Sequence, residues 1–124
     1  MSKLQASIGL INPKSPTNVG GVLRAAGCYD AKQVFFTGNR YLNAQKFHTD
    51  TKNVVQRIPL TATDDLASVK PQNAKVVVIE LIEGATPLPE FTHPENAFYV
   101  FGPEDGSVPK DVLKWCDEVV YIPT

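Results

Sequence analysis

The 124-residue chain predicts an α/β fold: a single domain, residues 1–124, with an open, mostly parallel sheet and helices on both faces. Three observations lead to this prediction. Residues 7–37 follow the order strand, loop, helix, strand, which is the building block of a parallel sheet. Four consecutive β-branched residues at positions 76–79 are typical of a strand buried on both faces. Two further apolar runs follow, with a helical segment between them.

In the first unit, apolar runs at residues 7–11 and 33–37 are bounded by turn residues and predict two strands. Two prolines break regular structure after the first run, and Ser15 or Thr17 is available to cap a helix. The helix is predicted from apolar residues at helical spacing, which end before Gly27: Val19, Val22, Leu23 and Ala26.

The second part of the chain predicts alternating strands and short helices. Residues 38–57 are polar and basic, which indicates an excursion with a short helix at residues 43–48. Thr63, Asp64 and Asp65 have the composition of a helix cap and first turn. Strands are predicted at residues 75–81, 97–101 and 118–122, with a helix from Pro109 to about Trp115 before the last of them.

Composition and cysteine usage limit the classes of function. With 43 % hydrophobic residues and no apolar run near the ~18 to 20 residues of a membrane span, we expect a soluble cytoplasmic protein without membrane partners. Cys28 and Cys116 share no spacing with His48 or His93 that would indicate a metal site. Two ordinary thiols and no metal are therefore expected.

Charge is divided unevenly along the chain. Residues 1–57 carry eight Lys or Arg against two acidic residues, a net charge of +6, whereas residues 58–124 carry four against eleven, a net charge of −7. A basic half suits a polyanionic partner, because each phosphate contact releases counterions. Pairing between the two halves of the chain fits the same distribution equally well.

The start of the first predicted helix combines an amide, two glycines and a guanidinium: Asn18, Gly20, Gly21 and Arg24. A helix N-terminus presents unpaired N–H groups and a positive dipole end, which favour polar and anionic ligands. Asn18 and Arg24 lie less than two turns apart, and the glycines allow a partner to approach the backbone. We expect a binding site at this helix start.

A second segment, residues 101–109, leaves a strand through a glycine-rich turn and enters a helix at proline. Gly102 would admit a ligand against bare backbone, and Glu104 places a carboxylate at the same rim. Ligands of open parallel sheets bind beyond the carboxyl ends of the strands, where both segments, residues 80–84 and the end of the last strand are expected. Neither a Walker sequence nor G-x-G-x-x-G occurs.

Together the two segments closely resemble the SpoU/TrmH branch of the SPOUT methyltransferases, a family with an α/β trefoil-knot fold. The family motif N-x-G-x-x-x-R-x-A is matched by Asn18, Gly20, Arg24 and Ala26. The motif F-G-x-E-x-x-G-L is matched by Phe101, Gly102 and Glu104, with Val108 in the last position; the family glycine falls on Ser107. Because the chain ends at Thr124, before the family's third motif, we expect the knot-forming C-terminal segment to be absent from this chain.

The resemblance implies transfer of a methyl group from S-adenosylmethionine to a ribose 2'-hydroxyl of tRNA or rRNA. It implies catalytic roles for Arg24, Asn18 and Glu104. A guanidinium cannot accept a proton at ordinary pH, so we expect Arg24 to clamp a phosphate or the developing alkoxide. The cofactor is expected to lie, mainly through backbone groups, against four positions: Glu80, Leu81, Gly102 and Ile122.

The same resemblance implies a homodimer with RNA as its substrate. We expect the RNA to contact the basic segment, residues 32–57, with Tyr41 and Phe47 as exposed aromatics for base stacking. Two other hypotheses stay open at this point. One is a non-catalytic RNA-binding or dimerisation domain of the same fold; the other is a small-nucleotide-binding domain, which has only the α/β pattern in its favour.

Overall fold

A computed structural model describes residues 5–28, 30–45, 58–80, 82 and 84–123. These residues form seven strands, namely β1 (Gln5–Leu10), β2 (Gln33–Phe36), β3 (Leu60–Ala62), β4 (Lys75–Ile79), β5 (Thr86–Pro87), β6 (Asn96–Phe101) and β7 (Glu118–Tyr121). The helices are α1 (Pro16–Cys28), α2 (Arg40–Gln45), α3 (Leu66–Val69) and α4 (Lys110–Trp115), and Leu88–Glu90 form a 3₁₀ turn.

The strands form one sheet in the order β3-β2-β1-β6-β4-β7-β5, and each neighbouring pair in the described part of the chain is parallel. This confirms the predicted α/β class. β1 and β6 pair over six residues, from Gln5 opposite Asn96 to Leu10 opposite Phe101. The chain adds β2 and β3 on one side of β1, and its later strands on the other side. The carboxyl ends of β1 and β6 therefore lie at a switch point, where open parallel sheets bind their ligands.

Helices pack on both faces of the sheet, as predicted. On one face α1 and α2 contribute Val19, Leu23, Ala26 and Tyr41 to a cluster with Val34 and Phe36 of β2. On the other face α3 and α4 contribute Leu66 and Val112 to a cluster with β4 and β6, in which Val76, Val78, Phe98 and Val100 are fully buried. Burial of each such side chain contributes about 1.5 to 3 kcal/mol. No helix in the described residues is long and apolar enough to cross a membrane.

The structure corrects the predictions in the shorter elements. β3 and β5 were not expected, because both are short strands at the edges of the sheet. β3 contains the exposed residues Thr61 and Ala62, and β5 contains a proline, Pro87, so neither has the pattern of a strand. α2 begins at Arg40, three residues before the expected helix, and residues 46–57 lie outside the described part. Asp65 caps α3 as predicted, since its carboxylate accepts a hydrogen bond from the backbone N–H of Ala67.

Candidate functional site

The site begins at the start of α1, which follows directly from β1. Ser15 is the residue that caps this helix: its hydroxyl accepts a hydrogen bond from the N–H of Asn18 at 3.2 Å, and its carbonyl accepts from Val19 at 3.0 Å. Val19 and Leu23 are buried against the sheet, so the helical period leaves Asn18 and Arg24 exposed. Packing of the apolar stripe therefore presents the two polar motif residues to solvent.

Glu104 joins the loop after β6 to the start of α1. Its carboxylate accepts hydrogen bonds from the backbone N–H groups of Lys14, at 2.9 and 3.2 Å, and of Ser15, at 2.9 Å. The side-chain amide of Asn18 donates to the same carboxylate at 3.4 Å. The two sequence motifs thus meet through Asn18 and Glu104, which are 86 positions apart.

These contacts also determine the charge state of Glu104. Partial burial by itself raises the pKa of this carboxyl, but hydrogen bonds from the backbone N–H groups of Ser15, Glu104 itself and Lys14, and from Asn18, outweigh it. The pKa of Glu104 is therefore below its ordinary value. At neutral pH the group is a carboxylate whose oxygens are already engaged by helix-start donors.

Arg24 lies along the exposed face of α1, over the two helix glycines. A Cβ placed on Gly20 would be 3.6 Å from Nη1 of Arg24, and one on Gly21 would be 4.0 Å from Nη2. Within the described residues, no group accepts a hydrogen bond from Arg24 or pairs with its charge. The side chain of Arg24 is exposed on this face of α1.

A pocket of about 190 Å³ lies where β1, α1 and β6 meet. Its lining is apolar except for Asn18 and Glu104, and consists of Leu10, Pro13, Asn18, Val19, Val22, Phe101, Gly102 and Glu104. Arg24 is not part of this lining. The structure therefore brings Asn18, Gly102 and Glu104 to one pocket, with Arg24 further along the same helix.

The expected cofactor residues follow three adjacent strands. Gly102 follows β6, Glu80 follows β4 and Ile122 follows β7, where Ile122 is 58 % exposed; Leu81 lies outside the described residues. The backbone N–H of Glu80 donates to the carbonyl of Val120 at 2.9 Å. That N–H is therefore engaged within the sheet, and a cofactor contact at Glu80 stays a prediction that would use its other groups.

Glu80 and Gly102 also have roles within the fold. The carboxylate of Glu80 accepts a hydrogen bond of 2.7 Å from the N–H of Val108. A Cβ on Gly102 would lie 3.0 Å from the same backbone nitrogen, so the loop would have to shift by a few tenths of an ångström to admit it. The close packing of the loop after β6 accordingly favours a glycine at position 102, whatever its part in ligand binding.

The structure reveals an ion pair that the sequence did not indicate. Arg40, at the start of α2, donates from Nη1 to Asp105 at 2.8 Å and from Nη2 to Asp105 at 3.0 Å. Hydrogen bonding to Arg40 lowers the pKa of Asp105, and the same bonds raise the pKa of Arg40. The two residues are 65 positions apart, and the only signal in the sequence was that both follow predicted strands of one sheet.

One prediction about the RNA-contacting segment is wrong, namely that Tyr41 is exposed. Tyr41 is 5 % exposed and packs edge-to-face against Phe36, with ring centroids 5.1 Å apart, and burial raises the pKa of its hydroxyl. It cannot stack on a base as an exposed aromatic, because its ring is part of the core. Phe47 lies outside the described residues.

A larger pocket, of about 460 Å³, lies at the opposite edge of the sheet. Lys75 and Glu118, which begin β4 and β7, are among its lining residues, and none of the expected site residues is. In the described part of the chain, no group of three or more His, Cys, Asp or Glu is placed to hold a metal ion. Cys28 and Cys116 are free thiols, as predicted.

The model of the SpoU rRNA Methylase family matches residues 5–124 of the chain. A search of curated proteins returns no match.

Three solved structures are similar to this chain. An AdoMet-bound rRNA methyltransferase from Sinorhizobium meliloti has a TM-score of 0.77 and 18 % identity, over 98 % of this chain and 48 % of that one. A second structure, described as giving insight into the 2-OH methylation of C/U34 on tRNA, has a TM-score of 0.78 and 23 % identity, over 97 % of this chain and 80 % of that one. The AdoMet complex of AviRb, a SpoU methyltransferase from Streptomyces viridochromogenes, has a TM-score of 0.73 and 17 % identity, over 100 % and 53 %.

At these identities the structural likeness establishes a shared fold. The chain spans about half the length of the first and third of these proteins.

Proposed function

The chain belongs to the SpoU rRNA Methylase family, and on that premise we propose that it acts in RNA methylation, transferring a methyl group from S-adenosylmethionine to a ribose 2'-hydroxyl of tRNA or rRNA. The observation that carries the proposal is the meeting of Asn18 and Glu104 at the carboxyl ends of β1 and β6, around an apolar pocket. Such a pocket at a switch point is where a sheet of this kind binds its ligand.

The solved structures support the cofactor and the substrate class. Two of them are described as AdoMet-bound, and a third is described by 2-OH methylation on tRNA. Each belongs to a protein with the same fold and low identity to this chain. They support the proposal because a shared fold places the carboxyl ends of equivalent strands at the same edge of the sheet in each protein.

The residues at this edge fit S-adenosylmethionine. Ile82 and Ile122, which follow the adjacent strands β4 and β7, are 38 % and 58 % exposed. Exposed apolar side chains are suited to the faces of a purine ring, and the loop at Gly102 is the neighbouring element after β6. When bound, the cofactor supplies the electrophilic methyl group on its sulfonium; Ile82, Gly102 and Ile122 are the residues proposed to hold it.

Arg24 has the charge that the reaction requires. A ribose hydroxyl is a weak nucleophile, and negative charge develops on its oxygen as a bond forms to the methyl carbon. The exposed guanidinium of Arg24, free of partners in the described residues, would stabilise that charge or bind the adjacent phosphate. It would not act as a base, because a guanidinium stays protonated at ordinary pH.

Asn18 and Glu104 would orient the substrate side of the pocket. The Glu104 carboxylate binds the amide of Asn18 at the pocket lining, and the remaining hydrogen-bonding capacity of Asn18 would serve a ligand. Glu104 itself already accepts three backbone hydrogen-bond contacts. We therefore assign it to positioning Asn18 and the loop, and not to proton transfer.

Methyl transfer from labelled cofactor to bulk tRNA or rRNA tests the proposal. We expect Arg24→Ala to abolish transfer, and Lys114→Ala to leave it unchanged, since Lys114 is an exposed cation of α4 on another element. Transfer that survives Arg24→Ala at the wild-type rate would contradict the role of Arg24. Absence of transfer by the wild-type chain would contradict the proposed activity of these 124 residues.

A second candidate function is a non-catalytic RNA-binding or dimerisation domain of the same fold. It is favoured by one observation, namely that the exposed guanidinium of Arg24 would bind an RNA phosphate without any cofactor. Calorimetry with S-adenosylmethionine separates the candidates, because tight binding would favour the enzyme. The proposed homodimer is tested by sedimentation velocity, in which a monomer at micromolar concentration would exclude it.

A further inference from the structure

One guanidinium connects three loops at the carboxyl edge of the sheet. Arg40 begins α2, directly after the loop that follows β2, and its two terminal nitrogens bind both oxygens of Asp105 in the loop after β6. Nη2 also donates to the backbone carbonyl of Asn12, in the loop after β1, at 2.7 Å. The fork geometry of arginine allows this bidentate contact, which a lysine cannot reproduce.

The loops after β1 and β2 are fitted to each other independently of Arg40. The N–H of Asn12 donates to the hydroxyl of Thr37 at 3.1 Å. Gly38 has a φ of +80°, and a Cβ on it would lie 2.1 Å from Oδ1 of Asn12, so this position accepts only glycine. Arg40 therefore extends from two loops that already form a unit.

Asp105 and Glu104 are consecutive residues with different partners. Glu104 binds the N–H groups of Lys14 and Ser15 at the start of α1, and Asp105 binds Arg40 at the start of α2. The loop after β6 is thus attached at two adjacent points to two different helix starts. Its far end is held by the bond from Val108 to Glu80.

We propose that Arg40 and Asp105 are positioning residues, which hold the loop after β6 so that Glu104 meets the start of α1 and fixes Asn18 at the pocket. This inference rests on the proposed function for its catalytic consequence, and on the contacts above for the positioning itself. Arg40 is about one third exposed and lies outside the pocket lining, so it acts through Glu104 and not on a substrate. Exposed ion pairs contribute little to the free energy of unfolding. We therefore expect this pair to affect the position of the loop after β6 and not the stability of the fold.

The test measures the pKa of Glu104 by carbon NMR in the 124-residue chain, without cofactor or RNA. In Asp105→Asn, electrostatics alone would lower the pKa of Glu104, because a neighbouring negative charge is removed. Loss of positioning would raise it, because the hydrogen bonds from Lys14 and Ser15 are weakened. The two explanations therefore predict opposite directions.

Arg40→Lys provides a second, independent variant, because it keeps the charge and removes the fork. We expect the pKa of Glu104 to rise in both variants and the amide signals of Lys14 and Ser15 to shift. Glu118→Gln, which removes a charge at the opposite edge, should change neither. Unchanged amide signals with a lowered or constant pKa, in either folded variant, would overturn the proposal.

This measurement is independent of methyl transfer, so it distinguishes the positioning role from the proposed function. Where transfer is measurable, Arg40→Lys should lower kcat several-fold with little change in the KM for S-adenosylmethionine. A pKa response without any methyl transfer by the wild-type chain would leave positioning supported and contradict the enzymatic function alone.

Discussion

The carboxylate of Glu80, at the end of β4, accepts a hydrogen bond of 2.7 Å from the backbone N–H of Val108, 28 positions later. The bond crosses from β4 to the loop that links β6 with α4, and it occupies a donor that is partly buried. A residue expected to bind the cofactor is thus also a structural support of the site.

Glu80→Ala should destabilise the protein by about 1 to 3 kcal/mol, because the N–H of Val108 is left without its acceptor. Glu80→Gln should cost less, since the amide oxygen can accept the same hydrogen bond. Urea unfolding followed by circular dichroism measures both. Equal losses of stability in the two variants would show that the charge of Glu80, and not its hydrogen bond to Val108, stabilises the fold.

Lowering the pH should weaken the fold through Glu104. Because the folded-state pKa of Glu104 is below its unfolded value, its stabilising contribution is complete above about 4.3, the ordinary carboxyl pKa, and is lost as the pH falls through the folded pKa. Glu104→Gln should therefore lose less stability than the wild type between pH 7 and pH 3. Urea midpoints at both pH values provide the measurement, with Glu118→Gln as the matched exposed glutamate. A Glu104→Gln response identical to that of the wild type would contradict this prediction.

Gly102→Ala should destabilise the protein by about 1 to 3 kcal/mol, because the added methyl would lie 3.0 Å from the backbone nitrogen of Val108 and force the loop to move. Gly20→Ala is the matched change in the other motif. There the methyl meets only Nη1 of Arg24, at 3.6 Å, so we expect about 0.5 to 1 kcal/mol of stabilisation from helix propensity. Thermal unfolding of both variants tests the contrast, and destabilisation by Gly20→Ala would refute it.

Gly20→Ala should also reduce methyl transfer while it raises stability. The methyl occupies the exposed helix face over which Arg24 lies, at ordinary contact distance from the guanidinium, and would keep a ligand from approaching the backbone there. The measurement compares the initial rate of transfer with the melting temperature in one protein preparation. A rate equal to that of the wild type would show that close approach at Gly20 is not needed.

Arg24→Lys should leave the free energy of unfolding within about 0.5 kcal/mol of the wild type, since Arg24 is exposed and makes no hydrogen bond in the described residues. Methyl transfer should fall, because a lysine keeps the charge and loses the planar fork suited to phosphate and alkoxide oxygens. Urea unfolding and a transfer assay on the same samples separate the two effects. A large loss of stability would assign Arg24 to the fold instead.

The main strands could be predicted because their signals are local. The run at residues 76–79 predicted β4, and the apolar spacing of Val19 and Leu23 predicted α1. β3 and β5 could not be predicted, since an edge strand is defined by its neighbour and not by its own composition: Pro87 pairs only because β7 lies beside it. The prediction that Tyr41 is exposed was wrong for the same reason, because its ring packs against Phe36 in the core.

The sequence by itself determined the α/β class and nominated Asn18, Arg24, Gly102 and Glu104, because periodicity and motif spacing are properties of neighbouring residues. Only the tertiary structure decided how these residues are connected. Glu104 reaches Asn18 across 86 positions of the sequence, Asp105 reaches Arg40 across 65, and Glu80 reaches Val108 across 28. Such contacts depend on which strands lie side by side at the carboxyl edge, and strand order is fixed by packing over the whole sheet.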